Sequence, residues 1–153
     1  MDHSFFWMLT AAYAAHVLEE YTLDWRGWAR DTLGFPVDWP QFYVVNAAVI
    51  VGGVCFSMIG WNVPALSLMF PALAAINAVF FHLAPLLVKR RFSPGVFTAV
   101  ALFLPLAFIL YRQAHRQGLL DAWTLAVSLS GGIGIMAFPV ILLKLRPLLV
   151  KNP

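Results

Sequence analysis

Charged residues and cysteine are both scarce in this sequence, and each scarcity excludes a class of protein. Asp, Glu, Lys and Arg make up 11% of the 153 residues, whereas 61% are hydrophobic and the mean hydropathy is +0.80. Soluble domains are about one quarter charged, so this is not the composition of a soluble domain. The one cysteine, Cys55, has no partner for an intrachain disulfide or a cysteine-based metal site.

Sequence signatures of nucleotide and nucleic-acid binding are also missing. The chain has no glycine-rich phosphate loop, no GxSxG motif and no cysteine pair. Its net charge of +3 and pI near 9.4 come without a basic face interleaved with aromatic residues. We therefore expect no nucleic-acid partner, no nucleotide-driven transport and no Rossmann-type redox chemistry.

Long apolar runs predict one membrane-embedded helical domain, residues 1–153. The predicted fold is an all-α bundle of five transmembrane helices, with spans at about 4–21, 41–61, 65–88, 96–113 and 119–143. The first run carries Asp2 and no Lys or Arg, so we interpret it as a retained helix and not as a secretory signal. The loop after it predicts a short surface helix around Trp25–Leu33, stopped by Gly34 and Pro36.

Basic residues collect on one side of this five-span arrangement. That side holds eight of the ten Lys and Arg residues: Arg26, Arg30, Lys89, Arg90, Arg91, Lys144, Arg146 and Lys151. Positive charge is retained in the cytoplasm, so the N-terminus is predicted outside and the C-terminus in the cytoplasm, in the cytoplasmic (inner) membrane with membrane lipids as partners. Small residues in the last span predict a packing face or a homo-oligomer face: Ser128, Ser130, Gly131, Gly132 and Gly134.

A polar stripe interrupts the apolar first span at His16-Val17-Leu18-Glu19-Glu20. At about 100° per residue, Glu20 lies roughly 40° and Glu19 roughly 60° from His16, and Tyr13 falls on the same stripe. Polar side chains within a membrane usually face the bundle interior or a wet cavity. The stripe therefore predicts a site inside the bundle.

Three later helices bring further polar side chains to the same depth. At 1.5 Å per residue, the stripe and three other residues lie within roughly 10 Å of the cytoplasmic boundary: Asn46, His82 and Thr98. Asn77 lies deeper and about 140° from His82 on an ideal helix, so a bond between helices is its expected role unless Pro71 and Pro85 twist the helix.

Three motifs occur in order along the chain: HVLEE at 16–20, NAVFFH at 77–82 and SPGVFT at 93–98. Together they resemble the HXXEE family of small bacterial integral-membrane proteins, over residues from about 10 to 140. The resemblance implies a set of motif positions: His16, Glu19, Glu20, Asn77, His82, Pro94 and Gly95. Members of the family have no assigned reaction, so the resemblance implies a site and not its chemistry.

We interpret these residues as a metal-dependent active site. The predicted ligands of a divalent Zn, Fe or Mn ion are His16, Glu19, Glu20 and His82, and the supporting polar residues are Tyr13, Asn46, Asn77 and Thr98. Glu19 and Glu20 are also the predicted acid–base groups, acting on a lipophilic small molecule or lipid. Hydrolase, isomerase and oxidase activities all fit this pattern.

Other interpretations of the same residues stay open. The glutamates can simply end the first helix and pair with Arg26 or Arg30, and His82 can bond to a neighbouring carbonyl. At the level of function, the alternatives are a proton- or cation-translocating carrier module and a structural membrane partner whose polar residues only join helices.

Overall fold

Helices form every element in the part of the chain that the computed structural model describes, which is the backbone of residues 2–149 and the side chains of residues 2–141. In chain order they are α1 (Ser4–Thr22), α2 (Trp25–Trp28, prolonged by a π-helical turn at Ala29–Leu33), α3 (Trp39–Ile59, followed by a 3-10 turn at Gly60–Asn62), α4 (Pro64–Lys89), α5 (Val96–Arg116) and α6 (Ala122–Leu149). The predicted all-α class is confirmed.

Four of these helices are long and apolar enough to cross a membrane: α3 with its 3-10 turn, α4, α5 and α6 up to Ile141. Helix α1, the first of the five predicted spans, is not among the four. It has 19 residues, and His16, Glu19 and Glu20 occupy its last two turns, which lowers its apolar content. The prediction of five spans is therefore supported for four helices.

Part of the predicted basic side lies beyond the described side chains. Lys144 and Arg146 belong to the stretch in which only the backbone of α6 is described, and Lys151 lies outside the described residues. The orientation of the termini therefore remains a prediction from the sequence.

Helix α1 packs one side against α3, α4 and α5, and its other side, with Trp7, Met8 and Leu18, is exposed. Its Phe6 meets Trp61 edge-on with ring centroids 4.9 Å apart, and its Tyr13 stacks on Phe103 of α5 at 5.6 Å. The polar stripe lies largely on the packed side: His16 and Glu20 are 0% and 4% exposed.

Glycines allow α6 to approach α4 closely. A Cβ on Gly132 would lie 2.7 Å from the Cβ of Ala72 and 2.8 Å from the backbone nitrogen of Leu73, and a Cβ on Gly131 would touch Met69. At these two positions the small-residue face of the last helix is a packing face within the chain.

Two π-helical segments shape α4 and α5 near the polar stripe, Asn77–Leu83 and Ala99–Phe103. Each is followed within two residues by a proline, which has no N–H to continue a regular α-helix. In a π-helix the bonded residues are five apart, so positions i and i+5 return to the same side. Asn77 and His82 have this spacing, and both are buried. The angle of about 140° that an ideal α-helix sets between the two residues therefore does not apply in this segment.

Helix α2 follows the polar end of α1 as a separate short element. It starts at Asp24, whose carboxylate accepts a hydrogen bond from the Gly27 N–H at 3.2 Å, and the π-helical turn after it stops at Gly34, where φ is +73°. The predicted surface helix and its glycine stop are therefore present. Arg26 lies 5.1 Å from the ring centre of Trp39, which holds this segment against the start of α3.

Candidate metal centre

The turn that leads into α5 lies directly against two histidines. At Gly95 φ is +94°, a conformation that favours glycine. A Cβ at this position would lie 2.6 Å from Cε1 of His82, 2.7 Å from Cε1 of His16 and 3.0 Å from Cγ of Glu20. Any side chain here would displace these groups, so the glycine lets the turn close over them.

His16, Glu20 one turn later on α1, and His82 of α4 form a buried cluster. Oε1 of Glu20 lies 3.4 Å from Nε2 of His16 and 3.5 Å from Nε2 of His82. One ligand atom from each residue lies within 4.8 Å of the other two. Both histidines are fully buried. The structure thus brings together three of the four predicted ligands.

The hydrogen bonds around His16 assign its ring protons. Nδ1 lies 2.8 Å from the Thr98 hydroxyl, and that hydroxyl lies 2.6 Å from Oε2 of Glu19. A hydroxyl has one hydrogen and a carboxylate only accepts, so Thr98 donates to Glu19 and accepts from Nδ1–H of His16. The other nitrogen of a neutral His16, Nε2, therefore carries a lone pair.

His82 also has a hydroxyl partner. Its Nδ1 lies 3.0 Å from the hydroxyl of Ser93, which lies 3.3 Å from the backbone carbonyl of Phe81. In a regular α-helix that carbonyl would accept from residue 85, but Pro85 has no N–H. If Ser93 donates to this carbonyl, it accepts from Nδ1–H of His82 and Nε2 carries a lone pair; if Ser93 donates to Nδ1, the hydrogen of a neutral His82 is on Nε2.

The centre of the cluster therefore sets the Nε2 lone pair of His16 against Oε1 of Glu20, with Nε2 of His82 beside them. Neither Nε2 atom has a hydrogen-bond partner among the described residues. Buried acceptors that face one another without a hydrogen between them are unfavourable, so this arrangement favours a bound cation. A proton or a metal ion can supply that charge.

The two distances from Glu20 to the histidines suit a metal ion. With metal–ligand bonds of about 2.0–2.1 Å, a tetrahedral site sets its ligand atoms about 3.3–3.4 Å apart. The two separations from Glu20 are 3.4 and 3.5 Å. Metal-binding histidines usually donate their other N–H to a fixed partner, the role that Thr98 and Ser93 can have here. Two imidazoles and one carboxylate also leave a fourth position free, as catalytic zinc sites do.

Glu19 lies outside this cluster. Its Oε1 accepts from the N–H groups of Gly95 (3.0 Å) and Phe97 (3.1 Å), and its Oε2 accepts from the N–H (2.8 Å) and hydroxyl of Thr98. These groups form the N-terminus of α5, where the helix dipole favours a carboxylate. The structure thus places Glu19, a predicted ligand and acid–base group, as an anchor between α1 and α5.

The arginines predicted as partners of the glutamates lie elsewhere. Arg30 pairs with Asp31 at 2.8 Å, and Arg26 lies over Trp39. Among the described residues no ion pair joins Glu19 or Glu20 to an arginine. The negative charge of Glu19 is compensated by the positive end of the α5 dipole. This partner is made of backbone N–H groups and not of a charged side chain, so it cannot be read from the sequence.

The remaining predicted polar residues form two separate contacts between helices. Tyr13 donates to Oδ1 of Asn46 at 3.1 Å, and Asn46 donates from Nδ2 to the carbonyl of Phe42 at 2.9 Å. Nδ2 of Asn77 lies 3.9 Å from the sulfur of Met136 on α6, while its Oδ1 has no hydrogen-bond partner among the side chains and backbone that the structure describes. Asn77 therefore joins α4 to α6 and keeps one free acceptor.

A cavity of about 360 Å³ begins at Glu20 and runs between α3, α4 and α6. Most of its wall is apolar, and its polar side chains are Tyr13, Glu20, Gln41, Asn46 and Asn77. This volume lies within the range of small-molecule sites, about 300–1,000 Å³. Glu20 thus belongs both to the cluster and to the wall of a cavity.

Sequence reasoning assigns Ser93 only to the turn before α5 and does not predict the cavity. The position of Ser93 directly before Pro94-Gly95, in the motif that also supplies Thr98, is a signal that could have marked it as a partner of His82. The cavity has no such local signal, because its wall is assembled from several helices that are distant in sequence.

Fold and site together define a class of protein: an all-helical chain with four helices able to cross a membrane and a buried His–Glu–His cluster. A family model described as a protein of unknown function with HXXEE motif matches residues 7–110. This is more than half of the chain, so the protein belongs to that family, and all three motifs lie within the matched range. No curated protein and no solved structure matches the chain.

Proposed function

We propose that this protein is a membrane-embedded, metal-dependent enzyme that acts on a lipophilic small molecule or lipid. One observation carries the proposal: the Nε2 atoms of two fully buried imidazoles meet one carboxylate oxygen at 3.4 and 3.5 Å, and neither nitrogen has a hydrogen-bond partner among the described residues. Keeping such a polar group within apolar helices is costly, which favours a functional cation over an accidental cluster.

Each residue of the centre has a separate task in this proposal. His16, Glu20 and His82 bind a divalent metal ion, which supplies a Lewis acid when bound. Thr98 and Ser93 hold the imidazoles in the tautomer that presents Nε2 to the ion. Glu19 fixes Thr98 and the turn at Gly95. Because Glu20 also lines the cavity, its carboxylate is where a proton can pass to or from a bound molecule.

The cavity supports a lipophilic substrate. Its wall is mostly apolar, and it lies among helices that are able to cross a membrane. A molecule dissolved in the bilayer can therefore reach the centre from the side, without first passing through water.

We also propose that α1 crosses the membrane as a fifth span, with the N-terminus outside and the centre near the cytoplasmic face. The packing of α1 against α3, α4 and α5 supports this topology, as does the predicted collection of basic residues on one side. A reporter fused after Pro153 should report a cytoplasmic location. A periplasmic signal would overturn the orientation.

The metal content of detergent-purified protein tests the function. After reconstitution with Zn, Fe or Mn, the wild type should retain about one ion per chain, and His16→Ala and His82→Ala should each lose it. His115→Ala is the matched control, because this histidine is exposed and distant in sequence from the cluster. If the wild type retains no ion after all three reconstitutions, the cation is a proton and the metalloenzyme proposal is wrong.

A further inference from the structure

A second cavity continues from the one at Glu20. It has a volume of about 320 Å³ and shares Val44, Val45 and Pro139 with the first. Both cavities lie between α3 and α6, so they form one groove along these two helices. We call this continuous space the α3–α6 groove.

The length of the groove matches a hydrocarbon chain. From Asn46 beside the polar end to Phe56 in the second cavity, α3 advances ten residues, or about 15 Å. Half of a bilayer's hydrocarbon core is also about 15 Å thick. A single lipid tail therefore reaches from one end of the groove to the other.

The two ends of the groove differ in chemistry. The second cavity is lined only by apolar residues and one glycine, among them Val49, Phe56 and Leu73. The first cavity instead contains Glu20 and Asn77, whose Oδ1 is a buried acceptor without a hydrogen-bond partner among the described residues. The polar end thus offers two unpartnered polar atoms of opposite kind, the acceptor Oδ1 of Asn77 and the donor Nε1–H of Trp25, neither of which has a hydrogen-bond partner among the described residues.

We propose that the α3–α6 groove binds a single-chain lipid whose head group carries a hydrogen-bond donor. The tail lies along α3 and α6, and the head group donates to Oδ1 of Asn77 next to Glu20. This assignment rests on the proposed function, since it names the substrate class of the same centre. An alcohol is the simplest head group that meets the requirement, because it also has an oxygen that can face the cluster.

Two neighbouring alanines provide a matched test. Ala47 and Ala48 are both exposed on α3, but only Ala48 lines the groove. The probe is hexadecanol with a photoreactive diazirine in its chain, applied to the full protein in nanodiscs and competed with unlabelled hexadecanol. We expect competable labelling of α3 and α6 in the wild type and in Ala47→Trp. In Ala48→Trp, where the new side chain fills the groove, labelling should fall at least about tenfold.

The head group is tested by a second comparison. Hexadecanol should compete with the probe about threefold to tenfold better than hexadecyl methyl ether, which has no donor. In Asn77→Leu this preference should disappear. Equal competition by the alcohol and the ether in the wild type would contradict the assignment of the head group.

Metal content, measured in the same preparations, separates this proposal from the proposed function. Ala48→Trp should keep its metal ion, because the substitution changes the groove and not the ligands. A retained metal ion also shows that this variant folds. If labelling is not competed, or if Ala47→Trp loses it equally, the lipid proposal is wrong even when the metal is bound. If Ala48→Trp instead converts a dimer into a monomer, a second copy of the chain occupies the groove, and the lipid proposal is equally wrong.

Discussion

Gly95→Ala tests whether the turn before α5 closes directly on the cluster. The added methyl group would lie 2.6 and 2.7 Å from the Cε1 atoms of His82 and His16, well inside van der Waals contact. Neither ring can move away freely, because Ser93 is hydrogen-bonded to Nδ1 of His82 and Thr98 to Nδ1 of His16. The substitution should therefore disturb the cluster and not only the turn.

Two terms determine the size of the effect. Placing a residue other than glycine in the left-handed conformation costs about 1–2 kcal/mol. Inserting a methyl group into a filled space costs about 1–3 kcal/mol more. The sum predicts a loss of about 2–5 kcal/mol in the free energy of unfolding, with weaker metal binding because both imidazoles are displaced.

Gly118→Ala separates these two terms. Gly118 also has a positive φ, +68°, but a Cβ there would meet nothing within 4 Å. Unfolding of both variants in detergent should show Gly95→Ala to be less stable than Gly118→Ala by about 1–3 kcal/mol, and only Gly95→Ala should bind metal more weakly. Equal stability together with unchanged metal binding would refute the close approach of this turn to the histidines.

Three other changes test the contacts around the centre. Thr98→Val keeps the shape but removes the hydroxyl that orients His16, so equilibrium dialysis should show about 10- to 100-fold weaker metal binding, while Thr98→Ser should bind normally. Ser93→Ala should weaken metal binding by a similar factor through His82, and an unchanged affinity would contradict the role of Ser93 in orienting His82. Asp121 precedes α6, and the N–H of Thr124 lowers the pKa of its carboxyl group in the folded state. Its stabilisation is therefore full above the unfolded pKa, about 4, and is lost as the pH falls through the lower folded value. Asp121→Ala should lower the melting temperature at pH 7, and its difference from the wild type should shrink below about pH 4.

The sequence predicts the helices well because apolar length and polar interruptions are local properties. Gly34 ends the segment after α2 as predicted, since an isolated glycine there marks a left-handed stop. The number of spans is harder to predict, because the polar stripe lowers the apolar content of α1. The burial of that stripe depends on the helices that pack against α1, which is not a local property of the sequence.

The site is predictable in part. The helical period correctly predicts that His16 and Glu20 lie on one side of α1. The estimated depth in the membrane places His82 at their level, and the three residues do meet. The different position of Glu19 does not follow from either argument, because its partners are backbone N–H groups at the start of α5. Asn77 and His82 lie in a π-helical segment, which α-helical periodicity does not indicate.

X-ray absorption at the metal edge of the reconstituted protein tests the central claim most directly. We predict a four-coordinate ion with two imidazole nitrogens and a carboxylate oxygen at about 2.0–2.1 Å, and with one imidazole fewer in His82→Ala if that variant still holds any ion. Sulfur in the coordination shell, or a spectrum that does not change on substitution of His16 or His82, would contradict the assignment of the ion to this cluster.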